Sequence, residues 1–300
     1  FIFNFLGEKC VPFLSKVVPH MLHTIRICSA SKLRQSLLKQ VASLSGIVRE
    51  HLRPYVAEIF EIVDKLWDSD LGTILALVTK ISAGVPDDFQ KFLPRLVRKL
   101  LASLEDVQMS DLFTTLGRHE ASLAREEFEK LELLLSSVRC LRGVLGNYLH
   151  LLVPGLLKLA DSLTSASLTN DINSEKQNKF NQSSIHTLQT LSHLLEYDNA
   201  RSSIRVSTMS WGSQNTGSLP TGCSLPARAT QSLLRLLGNK PPPTRVVGYA
   251  IVESLCVCAR QLGKSRWIPL YNTVARNAII TWQMQINRGE IHIEGQYRNP

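Results

Sequence analysis

Apolar residues recur every three or four positions along most of this chain. That is the spacing of helices that bury one stripe and expose the rest. After Pro54 the stripe is Val56, Ile59, Phe60, Val63, Leu66 and Trp67. After Pro94 it is Leu96, Val97, Leu100, Leu101 and Leu104, and after Pro269 it is Leu270, Val274, Ala275, Ala278 and Ile279. A second helix precedes each proline. Leu33, Leu37, Leu38, Val41, Leu44 and Val48 line the one before Pro54; Val246, Ala250, Leu255, Cys256, Ala259 and Leu262 line the one before Pro269.

Five stretches repeat one phrase: a polar residue, an apolar pair, a proline, then a helix. The prolines are Pro19, Pro54, Pro94, Pro154 and Pro269. Each is expected to open a helix, since proline at the first helical position loses no bond and has a helical φ already. The unit is then helix A, a short turn, proline, helix B. The first two intervals are 35 and 40 residues, close to the period of about 40–47 of HEAT and armadillo helix pairs. The pattern predicts an all-α fold, an α-solenoid of HEAT-type antiparallel helix pairs, about five to six of them across residues 1–300. The later intervals of 60 and 115 imply polar insertions. Loops are expected over 105–128, 164–184 and 199–225, the long interval dividing at Pro226 if that proline opens a degenerate helix B. The stretch Asn199–Leu225, dense in Ser, Gly and Thr, reads as an insertion or as translated intron sequence. Residues 282–300 lose the apolar period and read as a frayed end. In such an array each pair buries its stripe against both neighbours, so truncating Leu100 or Leu37 to Ala is expected to cost about 2–5 kcal/mol locally.

Composition narrows the class further. With 44% hydrophobic and 20% charged residues, disorder of the whole chain is excluded. The net charge of +9 invites a nucleic-acid or anionic-membrane reading. No block of five or six basic residues occurs, and the densest set, Lys91, Arg95, Arg98 and Lys99, reads as one solvated helix face without interleaved aromatics. The six cysteines form no C-x-x-C pair and mostly sit in apolar helical patterns, which reads as reduced, buried thiols in a cytoplasmic or nuclear protein. No apolar run approaches the length of a membrane span and no signal peptide is evident. The chain reads as a piece of a longer protein.

No catalytic constellation stands out, and no catalytic, cofactor-binding or metal-binding residue is assigned. Gly212 and Gly217-Ser218 have P-loop spacing but lack its lysine. His20 and His23, with Cys28 nearby, give too few ligands for a metal site. The carboxylate pairs Asp87/Asp88 and Glu126/Glu127 read as solvated charges, the first as a cap toward Pro94. Neither a nucleophile elbow nor the H-R-D and D-F-G elements of a protein kinase occur.

Several phrases are more specific than periodicity. FIFNFLGEKCVPFLSKVVPHMLHTIRIC, HLRPYVAEIFEIV, KFLPRLVRKLL, YLHLLVPGLLKL and RQLGKSRWIPLYNTV resemble, in this order, consecutive segments of the HEAT-repeat region of target of rapamycin (TOR) serine/threonine kinases, members of the phosphatidylinositol 3-kinase-related family. The resemblance covers most of residues 1–280 outside the three polar segments. It implies a parent kinase, using ATP and Mg, whose catalytic domain lies outside these residues. It further implies a cytoplasmic scaffold in growth and nutrient signalling that docks complex subunits such as Raptor and helps hold two TOR copies together. An independent HEAT adaptor of the transport or phosphatase-scaffold kind, with no kinase attached, is the other reading of the same repeats.

Overall fold

The structure, a computed structural model, describes residues 2–109, 121–167, 174–197, 224–239 and 242–296. Among the described residues every regular element is helical. In chain order the α-helices are α1 (Ile2–Leu6), α2 (Leu14–Ile27), α3 (Ser31–Val48), α4 (Val56–Leu66), α5 (Leu71–Gly84), α6 (Pro86–Phe89) and α7 (Leu93–Met109). They continue with α8 (Ala121–Cys140), α9 (Leu149–Ser167), α10 (Ser174–Tyr197), α11 (Leu225–Leu237), α12 (Arg245–Leu262), α13 (Lys264–Leu270) and α14 (Arg276–Gln296). The 3₁₀ segments Gly7–Phe13, Arg49–Tyr55 and Gly146–Tyr148 precede α2, α4 and α9. The chain forms two compact units, Phe1–Ser103 with Glu129–Leu145, and Leu104–Phe128 with Gly146–Pro300.

Both units are stacks of helix pairs. In the first, α3 packs on α5 and α2 on α4, so like helices of successive pairs are neighbours. In the second, α10 packs on α12 in one layer while α9, α11 and α14 follow one another in the other. This alternation is the α-solenoid arrangement expected from the repeat. The α4 stripe Val56, Ile59, Phe60, Val63, Leu66 and Trp67 is buried throughout. On α3, Leu38, Val41, Leu44 and Val48 are buried, whereas Leu33 is 53% exposed and Leu37 half-buried. The truncation cost expected at Leu37 therefore falls on Leu38 and Leu44. Leu100→Ala, at a fully buried site, is expected to cost about 2–5 kcal/mol and Leu37→Ala less than half of that, read from urea unfolding midpoints.

One close approach sets the spacing of α3 and α5. A Cβ on Gly84 would stand 2.9 Å from the Ser45 carbonyl oxygen, so glycine is needed there. Next to it, Arg49 ends α3 with φ 44°, a left-handed conformation that L-residues rarely adopt.

Several expectations about boundaries change. Pro94 and Pro226 are second residues of α7 and α11, and Pro54 sits in the 3₁₀ turn leading into α4. Pro19, Pro154 and Pro269 instead lie inside α2, α9 and α13. In α9 the turn before Pro154 buries Leu149, Leu152 and Val153, and that burial outweighs the single bond proline cannot make, a loss of about 3 kcal/mol. After Pro269 the chain passes through a π turn, Tyr271–Ala275, where the Arg276 N–H donates to the Tyr271 carbonyl. The Thr273 hydroxyl donates to the Pro269 carbonyl at 2.8 Å.

The segment 105–128 read as a loop is helical where it is described. Helix α7 continues to Met109 with Val107 buried, and α8 starts at Ala121. Segment 164–184 is likewise helical through Ser167 and from Ser174; Ser167 and Ser184 are buried with hydroxyls that donate within their own helices, while the buried Thr164 hydroxyl has no hydrogen-bond partner among the described residues. Ser184 and Ser167 donate to carbonyls four and three residues back, which lets polar residues occupy a buried stripe. Leu225 opens α11, and residues 199–223 lie outside the described residues, as do 110–120 and 168–173. The end read as frayed is helix α14 as far as Gln296, and Trp282 in it is only 2% exposed.

Candidate interaction surfaces

Successive pairs of the first unit are tied by polar contacts at a fixed register. Arg26 to Glu61, Arg34 to Asp70, Gln35 to Asp70, Trp67 to Ser103, and Lys99 to the Asp64 carbonyl are all 35 or 36 residues apart. The side chains that meet are those a neighbouring pair brings opposite each other, one repeat on. The most buried charged contact among these centres on Asp70, whose side chain has no solvent exposure. Its carboxylate accepts from Arg34 Nε at 2.6 Å, Gln35 Nε2 at 2.9 Å and Ser69 Oγ at 3.2 Å. Burial alone would raise its pKa; the hydrogen bonds from Gln35 and Arg34, the Arg34 charge and the Ser69 hydroxyl outweigh it and hold Asp70 below the usual carboxylate range. Asp70 stands at the start of α5, yet its side chain makes no capping bond there.

The dense basic set on α7 is largely neutralised. Arg95 and Lys99 pair with Asp64 at 2.6 and 3.4 Å, Lys91 with Asp88 at 2.8 Å, and Lys99 also lies over the Trp67 ring. Asp88 additionally pairs with Arg53 at 2.5 Å. The hydrogen bond from Lys91, above all, keeps its carboxyl below the ordinary range against a smaller opposing effect of burial. Asp87 and Asp88 form the first turn of α6 rather than a free cap before Pro94. Glu126 and Glu127 lie on α8, and Gly212–Ser218 lies outside the described residues. His20 and His23 are both exposed on α2. Among the described residues no group of three or more His, Cys, Asp or Glu is placed to hold a metal. No described helix is long and apolar enough to cross a membrane.

The cysteines divide in a way the apolar pattern did not show. Cys10 and Cys258 are buried, whereas Cys140 and Cys256 are exposed and Cys28 is intermediate. Burial pushes the Cys258 thiol up to about 11, against a lesser opposing bond from Thr230. A maleimide at neutral pH is expected to label Cys140 and Cys256 rapidly and to spare Cys258 in the folded chain, by mass spectrometry of tryptic peptides.

The excess charge is not spread evenly. Residues 224–289 contain nine Lys or Arg and one acidic residue, Glu253, so nearly all of the net +9 lies there. The exposed stripe of α11 carries Arg228, Gln231 and Arg235, and α14 exposes Arg276 and Arg288. Arg235 reaches Asp161 at 3.3 Å and Arg260 reaches Glu196 at 3.1 Å. Sequence reading passed over this because the arginines are scattered singly; counting acids over the same window would have found it.

Comparison with known proteins finds similarity to one group of serine/threonine kinases. Residues 1–49 match the family model described as the Serine/threonine-protein kinase mTOR domain. The chain is 29% identical over 165 residues to the Drosophila melanogaster protein "Serine/threonine-protein kinase mTor", covering 54% of this chain and 6% of that protein. It is 27% identical over 168 residues to "Serine/threonine-protein kinase TOR" of Arabidopsis thaliana, covering 53% of this chain and 6% of the relative. The match to "Serine/threonine-protein kinase tor1" of Schizosaccharomyces pombe extends over 274 residues at 22% identity, 90% of this chain and 9% of the relative. The chain therefore spans under a tenth of the length of these relatives, and within that span it is homologous to a segment of the TOR serine/threonine kinases.

Proposed function

We propose that these residues act as a scaffold segment of a TOR-like serine/threonine kinase in the cytoplasm, supporting subunit docking and complex assembly in nutrient and growth signalling. The observation that carries this reading is the pairing of stacked helices, locked at a 35–36-residue register, with similarity to TOR kinases over most of the described helices. Stacked pairs hold extended surfaces at fixed spacing, which suits binding of large partners. Docking of a Raptor-like subunit and contact with a second TOR copy are the interactions the family similarity favours. The phosphotransfer chemistry, with ATP and Mg, would then belong to a catalytic domain carried by the same polypeptide.

The test combines the reading frame with binding. A kinase domain encoded downstream in the mature transcript, and co-elution of the purified chain with a purified Raptor-type subunit, are expected. A transcript that ends without a kinase domain, together with no retention of that subunit, would replace the proposal with an independent adaptor.

A further inference from the structure

Helices α9 and α11 are neighbours in one layer of the second unit, and their outer stripes meet. The meeting point is the pair of Arg235 with Asp161, 3.3 Å apart and open to solvent. We propose that this two-helix face binds an acidic segment of a partner protein.

The register of the face follows from contacts that tie the unit together. Asn181 meets Thr244, Ser192 meets Ser254 and Glu196 meets Arg260, so α10 and α12 run in the same direction. Gln177 at the start of α10 donates to the Ser167 carbonyl at the end of α9, and Thr230 of α11 bonds Cys258 in the second half of α12. Helices α9 and α11 are therefore each antiparallel to their own partner and parallel to each other. With Arg235 opposite Asp161, Arg228 stands two turns back along α11, about 10 Å away. Lys158, three residues before Asp161, falls at a level between the two arginines. Both Arg228 and Lys158 are exposed.

Charge selects the occupant. Asp161 is the only acidic residue of α9, and α11 has none. Lys158 and Arg228 have no ion-pair partner among the described residues. Arg235 places one nitrogen on Asp161, which leaves the rest of its guanidinium fork for a further carboxylate. The exposed Gln231 lies between the arginines on the same stripe and can bond the backbone of a bound segment. Leu151, 45% exposed and two turns before Lys158, gives an apolar end to the row. An acidic segment with one apolar side chain matches that order of groups. Nucleic acid is a poorer match, because α9 and α11 hold no aromatic residue to stack on a base. A lipid surface is poorer too, because Leu151 is the only large hydrophobic side chain that these two helices expose.

The inference rests on the reading of the chain as a docking scaffold, and its test separates the two. Fluorescence anisotropy of the full 300-residue chain would use a labelled Glu-rich peptide carrying one Leu. The comparison probes are the same peptide with Gln for Glu, phosphatidylserine vesicles and duplex DNA. The Glu-rich peptide is expected to bind at least about tenfold more tightly than its Gln counterpart, and less tightly as salt rises. Lys158→Glu and Arg228→Glu, both at exposed sites, should each weaken it about fivefold with the thermal midpoint unchanged. Lys39→Glu, at an exposed site on α3 of the first unit, changes the net charge equally and should leave the affinity as it is. Equal affinity for the two peptides, binding indifferent to Lys158→Glu and Arg228→Glu, an equal loss with Lys39→Glu, or tighter binding of vesicles or DNA would each overturn the proposal. Any of these results would leave retention of a Raptor-type subunit elsewhere on the array as a separate, still measurable outcome.

Discussion

Gly248→Val is expected to release helix α14 from the second unit. A Cβ at position 248 would fall within the Trp282 indole, with Nε1 only 2.8 Å away. No small adjustment of a rigid two-ring side chain clears that overlap. Trp282 is otherwise held by a hydrogen bond from Nε1 to the Pro243 carbonyl at 3.2 Å and by the edge of Tyr249, ring centroids 5.5 Å apart. Expelling the indole forfeits its burial and leaves the Pro243 carbonyl without that donor, a loss of about 3–5 kcal/mol by analogy with large aromatic truncations. Tryptophan emission should shift to the red and amides of α14 should exchange rapidly, while amides of α3 and α5 in the first unit keep their protection. Uniform loss of protection across both units, or none anywhere, would contradict this local role for the Gly248–Trp282 contact.

The second large effect is expected at Asp70. Asp70→Ala removes the acceptor for Arg34 and Gln35 inside the interface between α3 and the start of α5. Arg34 is only 15% exposed, so its charge would be left largely enclosed without a counter-charge. Breaking a pair of this kind costs about 3 kcal/mol. Asp70→Asn, which keeps the shape and part of the hydrogen bonding, should cost less. Because the folded pKa of Asp70 is depressed, its contribution is complete above the unfolded carboxylate value of about 3.9 and is lost as pH falls through the folded value. The wild-type chain should therefore lose stability below about pH 4, and the loss should be shallower in Asp70→Asn. Urea midpoints between neutral and acidic pH measure both differences. Identical acid profiles would mean that the Arg34 contact contributes no net stability.

Much of the core was legible from spacing alone. The stripe from Val56 to Trp67 is buried as the period demands, because a helix of this kind presents the same face to both neighbours. Leu33, Leu37 and Val274 fit the same period and are not buried. Periodicity says which residues share a face; it does not say how far along the helix a neighbour extends to cover it. The polar buried stripes were the reverse case. Thr187 and Thr190, like Ser184, are buried with hydroxyls donating to carbonyls four residues back, so residues that look like loop signals sit in the middle of α10.

The candidate surfaces were less legible for the same reason. Asp70 carries no signal of its own in the sequence, and Trp282 reads as part of a fraying end. Their roles arise from residues 36 positions before and 34 positions before, Arg34 and Gly248, that only folding brings next to them. The basic set around the start of α7 has the opposite history: prominent in sequence, its Lys91, Arg95 and Lys99 are paired with Asp88 or Asp64.

The amino-acid sequence by itself determined the all-helical class, the pairing of helices and the relation to TOR kinases, because these depend on local periodicity and on runs of side chains read in order. The tertiary structure alone decided which prolines interrupt a helix, which carboxylate is enclosed by an arginine, which cysteines meet solvent, and that Gly248 receives an indole. Those outcomes depend on distances between residues tens of positions apart, and stacking one helix pair on the next is what sets them.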